Sequence, residues 1–339
     1  MNRRDYWHGR YLQIRAANEL STIRFEQEMV TTVDALNTKI NQELVSWYKR
    51  YARTAKVDFG TSAEILKKAR TEGWHQTIDE FQRLAVQGGH TDELDMEYIR
   101  SQTARLEQLQ IQLISVIAPI IPELTNSMSD ELIEQYRYQY EHAMYLNEMA
   151  SGNTGNFATF DNESLKLVVA QPWAGDDFSH RIWRNFQQDL PNMLMKTLSE
   201  SVVLGRSPKR LAHELSMTHK QFTEANLHRL INTEMAHIDE SANYQALVDV
   251  DAEWYEHLAT LESHTCEICA KLDGKHFKMS ERADGVNYAP IHPHCRCDEV
   301  YWEPNMPAVG KRWSRNPVTG KRQMVPGITF TEWRKQYAA

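Results

Sequence analysis

The chain has 339 residues, 41% hydrophobic and 25% charged, which is typical of globular proteins and excludes the disordered, collagenous and disulfide-rich classes. Its net charge of −8 argues against a dedicated nucleic-acid coat protein but allows a local basic patch. No signal-peptide-like apolar stretch follows the basic start. The longest apolar segment, residues 111–121, is interrupted by Pro119 and is shorter than the about 20 residues that span a bilayer. We therefore expect a soluble chain with no membrane partner.

The front of the chain has the pattern of a long helix. Its first 118 residues contain no proline, whereas six of the eleven prolines lie between Pro290 and Pro326. Over residues 6–53 apolar side chains recur mostly at steps of three, four or seven, which predicts one amphipathic helix of about 45 residues. A helix of this length packs against another long helix of the same chain or forms an intermolecular coiled coil, and the pattern leaves both open.

Breaks at glycine and proline divide the rest of the front. Further helices are predicted over 62–70, 74–87, 92–117 and 129–148. Residues 151–162, SGNTGNFATFDN, are the clearest loop and indicate a domain boundary. We expect residues 1–150 to form an extended helical domain that docks onto a partner.

The pattern changes again behind this loop. Four helices are predicted over 178–188, 193–203, 209–216 and 220–247. Beyond Trp254 alternation and turn residues indicate short strands. We therefore expect a mainly α protein: long N-terminal helices, then a helical module over 163–300 that ends in a small β-containing, zinc-stapled knuckle, and an irregular basic tail over 301–339.

Cysteines and a histidine near residue 280 point to a metal. Cys266 and Cys269 form a C-x-x-C pair, and Cys295 and Cys297 form a second pair shortly after His292. Zinc is held tetrahedrally by four such ligands, and with four protein ligands it is structural because no position remains for water. The pattern leaves open whether His292 or Cys297 completes the set, and also whether the pairs form a disulfide or stay as metal-free thiols.

Histidines around the same region allow a catalytic alternative. His264, His276, His292 and His294 beside Asp273 are the ingredients of a small metal-dependent nuclease or other DNA-processing enzyme. The histidines are scattered over loops, which favours exposed turn residues over a general base. The chain also lacks a nucleophile elbow and a phosphate-binding glycine loop, so we expect no catalytic residues and no enzyme.

Glu234 stands among apolar neighbours on the last predicted helix. A buried carboxylate persists only when it is paired, so we interpret Glu234 as an anchor that braces a neighbouring element through hydrogen bonds.

Positive charge is concentrated near the C-terminus and is interleaved with Trp313, Phe330 and Trp333. Basic side chains can bind the phosphate backbone of a nucleic acid, and aromatic side chains can stack on its bases. A solvated tail that is anchored by its aromatic residues would have the same composition. The candidate DNA-binding residues are Lys311, Arg312, Arg315, Lys321 and Arg322.

Several of these motifs occur together in one order. The most specific combination is C-x-x-C at 266–269, L-D-G at 272–274 and H-P-H-C-R-C at 292–297. Softer segments lie at 6–7, 173–183, 203–207, 229–234, 313–320 and 331–333. Together they resemble the phage Mu F-like minor head, or head-morphogenesis, proteins of tailed bacteriophages.

The resemblance implies a non-enzymatic virion component, made late in infection and present in few copies. It would associate with the portal protein and assist capsid assembly or DNA ejection. Packaged double-stranded DNA and the scaffold or major capsid protein are further candidate partners. The implied location is inside the capsid near the portal vertex, after assembly in the host cytoplasm. Asn232 departs from the family pattern, where we expect the arginine of an R-T-E triplet.

Overall fold

The structure is a computed structural model that describes residues 3–54, 109–152, 155, 157–173, 175–203, 208–292 and 295–337. Its elements are mainly helices, with short antiparallel strands confined to the C-terminal part. This confirms the expected fold class.

Helix α1, Arg3–Thr54, confirms the long front helix. Apart from Asn37, its buried positions follow one another at steps of three and four: Ile14, Asn18, Thr22, Phe25, Met29, Val33, Leu36, Ile40 and Leu44. These side chains are buried within the chain itself, so the helix packs intramolecularly at these positions. Leu20 and Ile23 are exposed because the buried face of the helix contains Asn18 and Thr22 instead. Asn18 donates a hydrogen bond to Gln139, and Thr22 donates one to the carbonyl oxygen of Asn18.

A second long helical stretch follows the gap. The helices predicted over 62–70 and 74–87 lie outside the described residues, as does the first part of 92–117, whereas 109–117 is helical. After a turn at 118–119, α2 spans Ile120–Ser151. Within the described residues, Leu109–Ser151 is long and apolar enough to cross a membrane by length and composition alone, a test that the core helix of a soluble protein also passes. Leu113, Ile117 and Leu124 on this stretch are fully buried.

The middle of the chain contains helices α3 (Asn162–Val169), α4 (Phe178–Trp183), α5 (Leu190–Val203) and α6 (Pro208–Asp249), with a π-helical turn over Arg184–Asp189. Helix α6 is continuous where two helices were predicted, since no glycine or proline interrupts residues 209–247.

The chain divides into two compact units: residues 1–27, 126–178 and 228–339 form the first, and residues 28–125 and 179–227 form the second. Helices α1, α2 and α6 are each divided between the units. The domains 1–150, 163–300 and 301–339 are defined along the sequence and stay a prediction.

The first unit contains a three-stranded antiparallel sheet. Its strands are β1 (Trp254–Leu258), β2 (His276–Lys278) and β3 (Asp298–Trp302), in the order β2-β1-β3. Helix α7, Glu267–Leu272, lies between β1 and β2 along the chain. The register pairs His257 with Glu299, so both side chains point to the same face of the sheet.

The tail is more regular than expected. Strands β4 (Lys311–Arg315) and β5 (Arg322–Pro326) form a hairpin, and α8 spans Phe330–Tyr337. The turn between the strands is closed by the Asn316 side chain, which accepts the N–H groups of Val318 and Thr319. Phe330 and Trp333 are buried against Leu261 and Val325. The expectation of an irregular tail was therefore wrong, because its aromatic residues form a small core.

Candidate metal centre

The C-x-x-C pair is placed by the start of α7. Cys266 is the N-cap of this helix, and its Sγ accepts the backbone N–H of Cys269 at 3.4 Å. Cys269 lies on the first turn and is buried. The capping geometry therefore directs both sulfurs to the same side of the helix start.

The second half of the site comes from the segment before β3. The Cys295 amide donates to the His292 carbonyl oxygen at 3.0 Å, which holds these two residues near each other. Cys269 Sγ lies 3.4 Å from His292 Nε2 and 3.9 Å from Cys295 Sγ. Tetrahedral zinc separates a thiolate from an imidazole nitrogen by about 3.6 Å and two thiolates by about 3.8 Å, so these spacings fit a shared metal.

Two groups of three ligands share Cys269. One contains Cys266, Cys269 and His292, the other contains His257, Cys269 and Cys297, and within each group the ligand atoms lie within 4.8 Å of one another. All four cysteines are free thiols, so the disulfide alternative is not seen. The five candidate ligands predicted from the sequence thus converge, whereas His294 lies outside the described residues.

His257 is the member of the site that sequence reasoning missed. It is fully buried on β1, and its Nδ1 lies 2.7 Å from Glu299 Oε1, which also accepts the Ala289 amide at 3.0 Å. Burial alone lowers the pKa of His257, but the hydrogen bond and charge of Glu299 outweigh it and hold the pKa above its ordinary value. No motif around His257 indicated this role, because the role depends on strand pairing.

The thiols of the cluster share a negative charge. Hydrogen bonds from Cys269 and Cys297 lower the pKa of the Cys295 thiol far below its ordinary value. Hydrogen bonding within the cluster raises the pKa of Cys269, chiefly through Cys295, and the pKa of Cys297, chiefly through Cys269. A thiolate is the form that binds metal, so Cys295 is prepared as a ligand.

Asp273, from the L-D-G motif, is an anchor beside the site. Its two carboxylate oxygens accept two hydrogen bonds from Arg312, at 2.8 and 2.9 Å, and the amides of Ala259 and Phe330, at 2.8 and 2.6 Å. Gly274 follows in the left-handed region at φ +73°. This carboxylate therefore holds the end of β1, β4 and the start of α8 together.

The candidate DNA-binding residues differ in their surroundings. Arg312 is buried, and its guanidinium also donates to the carbonyl oxygens of Ala259 and Ile328. Arg315 and Arg322 pair with Glu19 at 2.6 and 2.8 Å. Lys311 and Lys321 are exposed. The three arginines pair with carboxylates, as expected for an anchored tail. DNA binding by these five residues stays a prediction.

Glu234 braces a neighbouring segment, as expected. It is buried, and its Oε2 accepts the indole N–H of Trp173 at 2.8 Å, while the Trp173 ring stacks on His237 with centroids 4.2 Å apart. Two segments of the family resemblance, 173–183 and 229–234, therefore meet at this contact.

Asn232, the departure from the family pattern, faces an acidic partner. Its Nδ2 lies 3.4 Å from Glu26 Oε2, and His228 Nδ1 lies 2.9 Å from the same oxygen. A carboxylate thus lies beside position 232, where the family pattern has an arginine, and His228 shares it.

The model of the family described as phage Mu protein F like protein matches residues 192–300. Residues 192–300 are therefore similar to this family. The matched residues contain Glu234 and every candidate metal ligand, which confirms the resemblance in this part of the chain. No curated protein and no solved structure matches the chain.

Proposed function

We propose that the chain is a minor head protein of a tailed bacteriophage, a non-enzymatic virion component that associates with the portal protein. The observation that carries the proposal is that the match over residues 192–300 coincides with the convergence of four cysteines and two histidines on one site. The cysteines and histidines of the motif combination are separated along the sequence but lie close together in the structure, which favours a common role for them.

A structural zinc ion at this site supports the same role. Cys266, Cys269, Cys295 and His292 or Cys297 would hold it, and the ion would tie α7 to the segment before β3. These elements are short, and a small β-containing knuckle buries little apolar surface of its own. A metal clamp would make this surface rigid enough to assemble with other virion proteins.

The partner and location follow from the family resemblance. The helical front, residues 1–150, would dock onto the portal inside the capsid, and the protein would act in head assembly or DNA ejection. Lys311 and Lys321 are exposed and could contact packaged double-stranded DNA. Such binding would weaken steeply with salt, and binding that is unchanged between low and high salt would dismiss it.

Co-expression with the portal protein of the same phage tests the assignment. We expect the two proteins to co-purify, and mass spectrometry of mature particles to detect the chain at low copy number relative to the major capsid protein. Asymmetric electron cryomicroscopy of the particle would then give the stoichiometry and the neighbours. Absence from mature particles, together with no association with the portal, would overturn the proposal.

The absence of catalysis is testable separately. Plasmid DNA incubated with the full-length protein and Mg²⁺, Mn²⁺ or Zn²⁺ should stay intact, because Asp273 is bound to Arg312. Cleavage that disappears in His292→Ala would instead support the nuclease alternative.

A further inference from the structure

The ligand cluster contains more metal-binding side chains than one tetrahedral ion uses. Six side chains with nitrogen or sulfur ligand atoms meet there: His257, Cys266, Cys269, His292, Cys295 and Cys297. A single zinc ion takes four of them. The remaining two would be left buried without a metal.

His257 has the features of a ligand that is already oriented. It is fully buried, and its Nε2 has no hydrogen-bond partner among the described residues. One of the ring nitrogens of His257 lies within 4.8 Å of the sulfurs of Cys269 and Cys297. A buried polar atom without a partner costs about 1–3 kcal/mol, so a ligand at this position would satisfy a group that the fold leaves open.

Glu299 completes this arrangement from behind. It is fully buried, and its Oε1 lies 2.7 Å from His257 Nδ1, so Nε2 is the ring nitrogen that Glu299 leaves available to a metal. Metal-binding histidines commonly donate their second nitrogen to a carboxylate in this way, which fixes the tautomer and increases the basicity of the ligand.

Charge balance points to a second cation. Four thiolates and the Glu299 carboxylate would place five negative charges in a largely buried cluster, and one divalent cation leaves most of that charge uncompensated. Two divalent cations balance the four thiolates. The central sulfurs are placed to be shared, since Cys295 Sγ lies 3.9 Å from Cys269 Sγ, and Cys269 belongs to both groups of ligands.

We propose that the centre binds two zinc-type cations, the second held by His257, Cys269 and Cys297, with Glu299 as the residue that positions His257. Cys266, Cys269 and His292 hold the first ion, and the bridging thiolates of Cys269 and Cys295 complete four ligands around each. The thiol protons are released to solvent as the ions bind. The inference rests on the metal site of the proposed function and adds a second ion to it.

Metal content of the full-length protein is the test. After expression with added zinc and removal of loosely bound ions, elemental analysis should find two zinc ions per chain, and Co²⁺ titration of the metal-free protein should end at two equivalents. His257→Ala should reduce both values to one. The matched control is His264→Ala, an exposed histidine near Cys266, which should keep two.

Each result has a distinct meaning. One zinc ion in the unmodified protein, retained in His257→Ala and lost in Cys266→Ser, overturns the second site and leaves the first. No zinc in the unmodified protein overturns both sites, whereas the presence of the chain in virions is a separate measurement. Glu299→Gln, which keeps an oxygen acceptor for Nδ1, should retain two ions but release the second about 10–100-fold more readily to a chelator. Equal release from Glu299→Gln and the unmodified protein would contradict the positioning role of Glu299.

Discussion

Arg312 and Asp273 form a buried bidentate ion pair between β4 and the end of α7, with N–O distances of 2.8 and 2.9 Å. The carboxylate also accepts the amides of Ala259 and Phe330, so one side chain connects three elements. Asp273 lies four residues after Cys269, so this ion pair gives the aspartate of the L-D-G motif a structural role.

Arg312→Ala should strongly destabilise the first unit, because it leaves the Asp273 charge buried without its partner. Breaking a buried ion pair from one side typically costs about 3–5 kcal/mol. Urea unfolding of the full chain, followed by tryptophan fluorescence, measures the loss. The control is Arg322→Ala, whose exposed pair with Glu19 should contribute less than about 1 kcal/mol. Equal effects of the two substitutions would contradict the anchoring role.

Trp173→Phe tests the contact between Trp173 and Glu234. Phenylalanine keeps a ring to stack on His237 but removes the indole N–H that Glu234 accepts, so a buried carboxylate oxygen loses its donor. We expect a loss of about 1–3 kcal/mol in the free energy of unfolding, measured by urea unfolding with circular dichroism. Glu234→Gln keeps an oxygen acceptor and should cost less. A larger loss from Glu234→Gln than from Trp173→Phe would show that the negative charge of Glu234, rather than this hydrogen bond, is what matters.

Features that depend on nearby residues were predictable from the sequence. The long front helix follows from apolar spacing and missing prolines, and the metal site follows from C-x-x-C and the cysteines near residue 296. His257 was not predictable in this way, because its place in the site depends on pairing between β1 and β3, which brings Glu299 to it across 42 positions.

The basic tail shows the same limit. The sequence of such a segment does not show whether its lysines and arginines face solvent or pair with carboxylates. Arg312 pairs with Asp273, 39 positions away, and Arg315 pairs with Glu262 and with Glu19 near the other end of the chain. Composition therefore located the positive charge, and tertiary structure decided which cations are paired.

Asp239 predicts a pH dependence of stability in the first unit. Burial raises the pKa of Asp239 to about 7, although hydrogen bonds from Gln135 and Asn18 and the charge of Arg15 oppose the rise. Between about pH 4 and pH 7, Asp239 keeps its proton in the folded chain but loses it in the unfolded chain. The free energy of unfolding therefore decreases as pH rises through this range. The slope is about 1.4 kcal/mol for each pH unit over which the states differ by one proton.

Asp239→Asn should reduce this slope, because the amide is neutral throughout and its oxygen can accept the same donors. Burial also raises the pKa of Glu240 and of Asp298, so these two carboxyls should keep a slope of the same sign. The variant should gain stability relative to the unmodified protein at pH 8 and gain less at pH 5, as measured by thermal unfolding. Asp130→Asn, which alters an exposed carboxylate on α2, is the control and should leave the slope unchanged. An equal slope in Asp239→Asn and the unmodified protein would assign the pH dependence to other groups.

His219 predicts the opposite dependence in the second unit. It is fully buried on α6, and its two ring nitrogens have no hydrogen-bond partner among the described residues. Burial lowers the pKa of His219 to about 4, against the weaker, opposing charge of Asp34. Between about pH 6.5 and pH 4, His219 is protonated in the unfolded chain but neutral in the folded chain. The free energy of unfolding therefore decreases as pH falls through this range.

His219→Leu should stabilise the unit by about 1–3 kcal/mol at neutral pH, because an apolar side chain of similar size replaces unsatisfied polar atoms. The gain should increase at pH 5, where the unmodified protein must exclude a proton from His219. The control is His213→Leu on the exposed face of α6, which should change neither the stability nor its pH dependence appreciably. Thermal unfolding at pH 5 and pH 8 compares the variants. Destabilisation by His219→Leu at both pH values would mean that the imidazole has a hydrogen-bonding partner in solution.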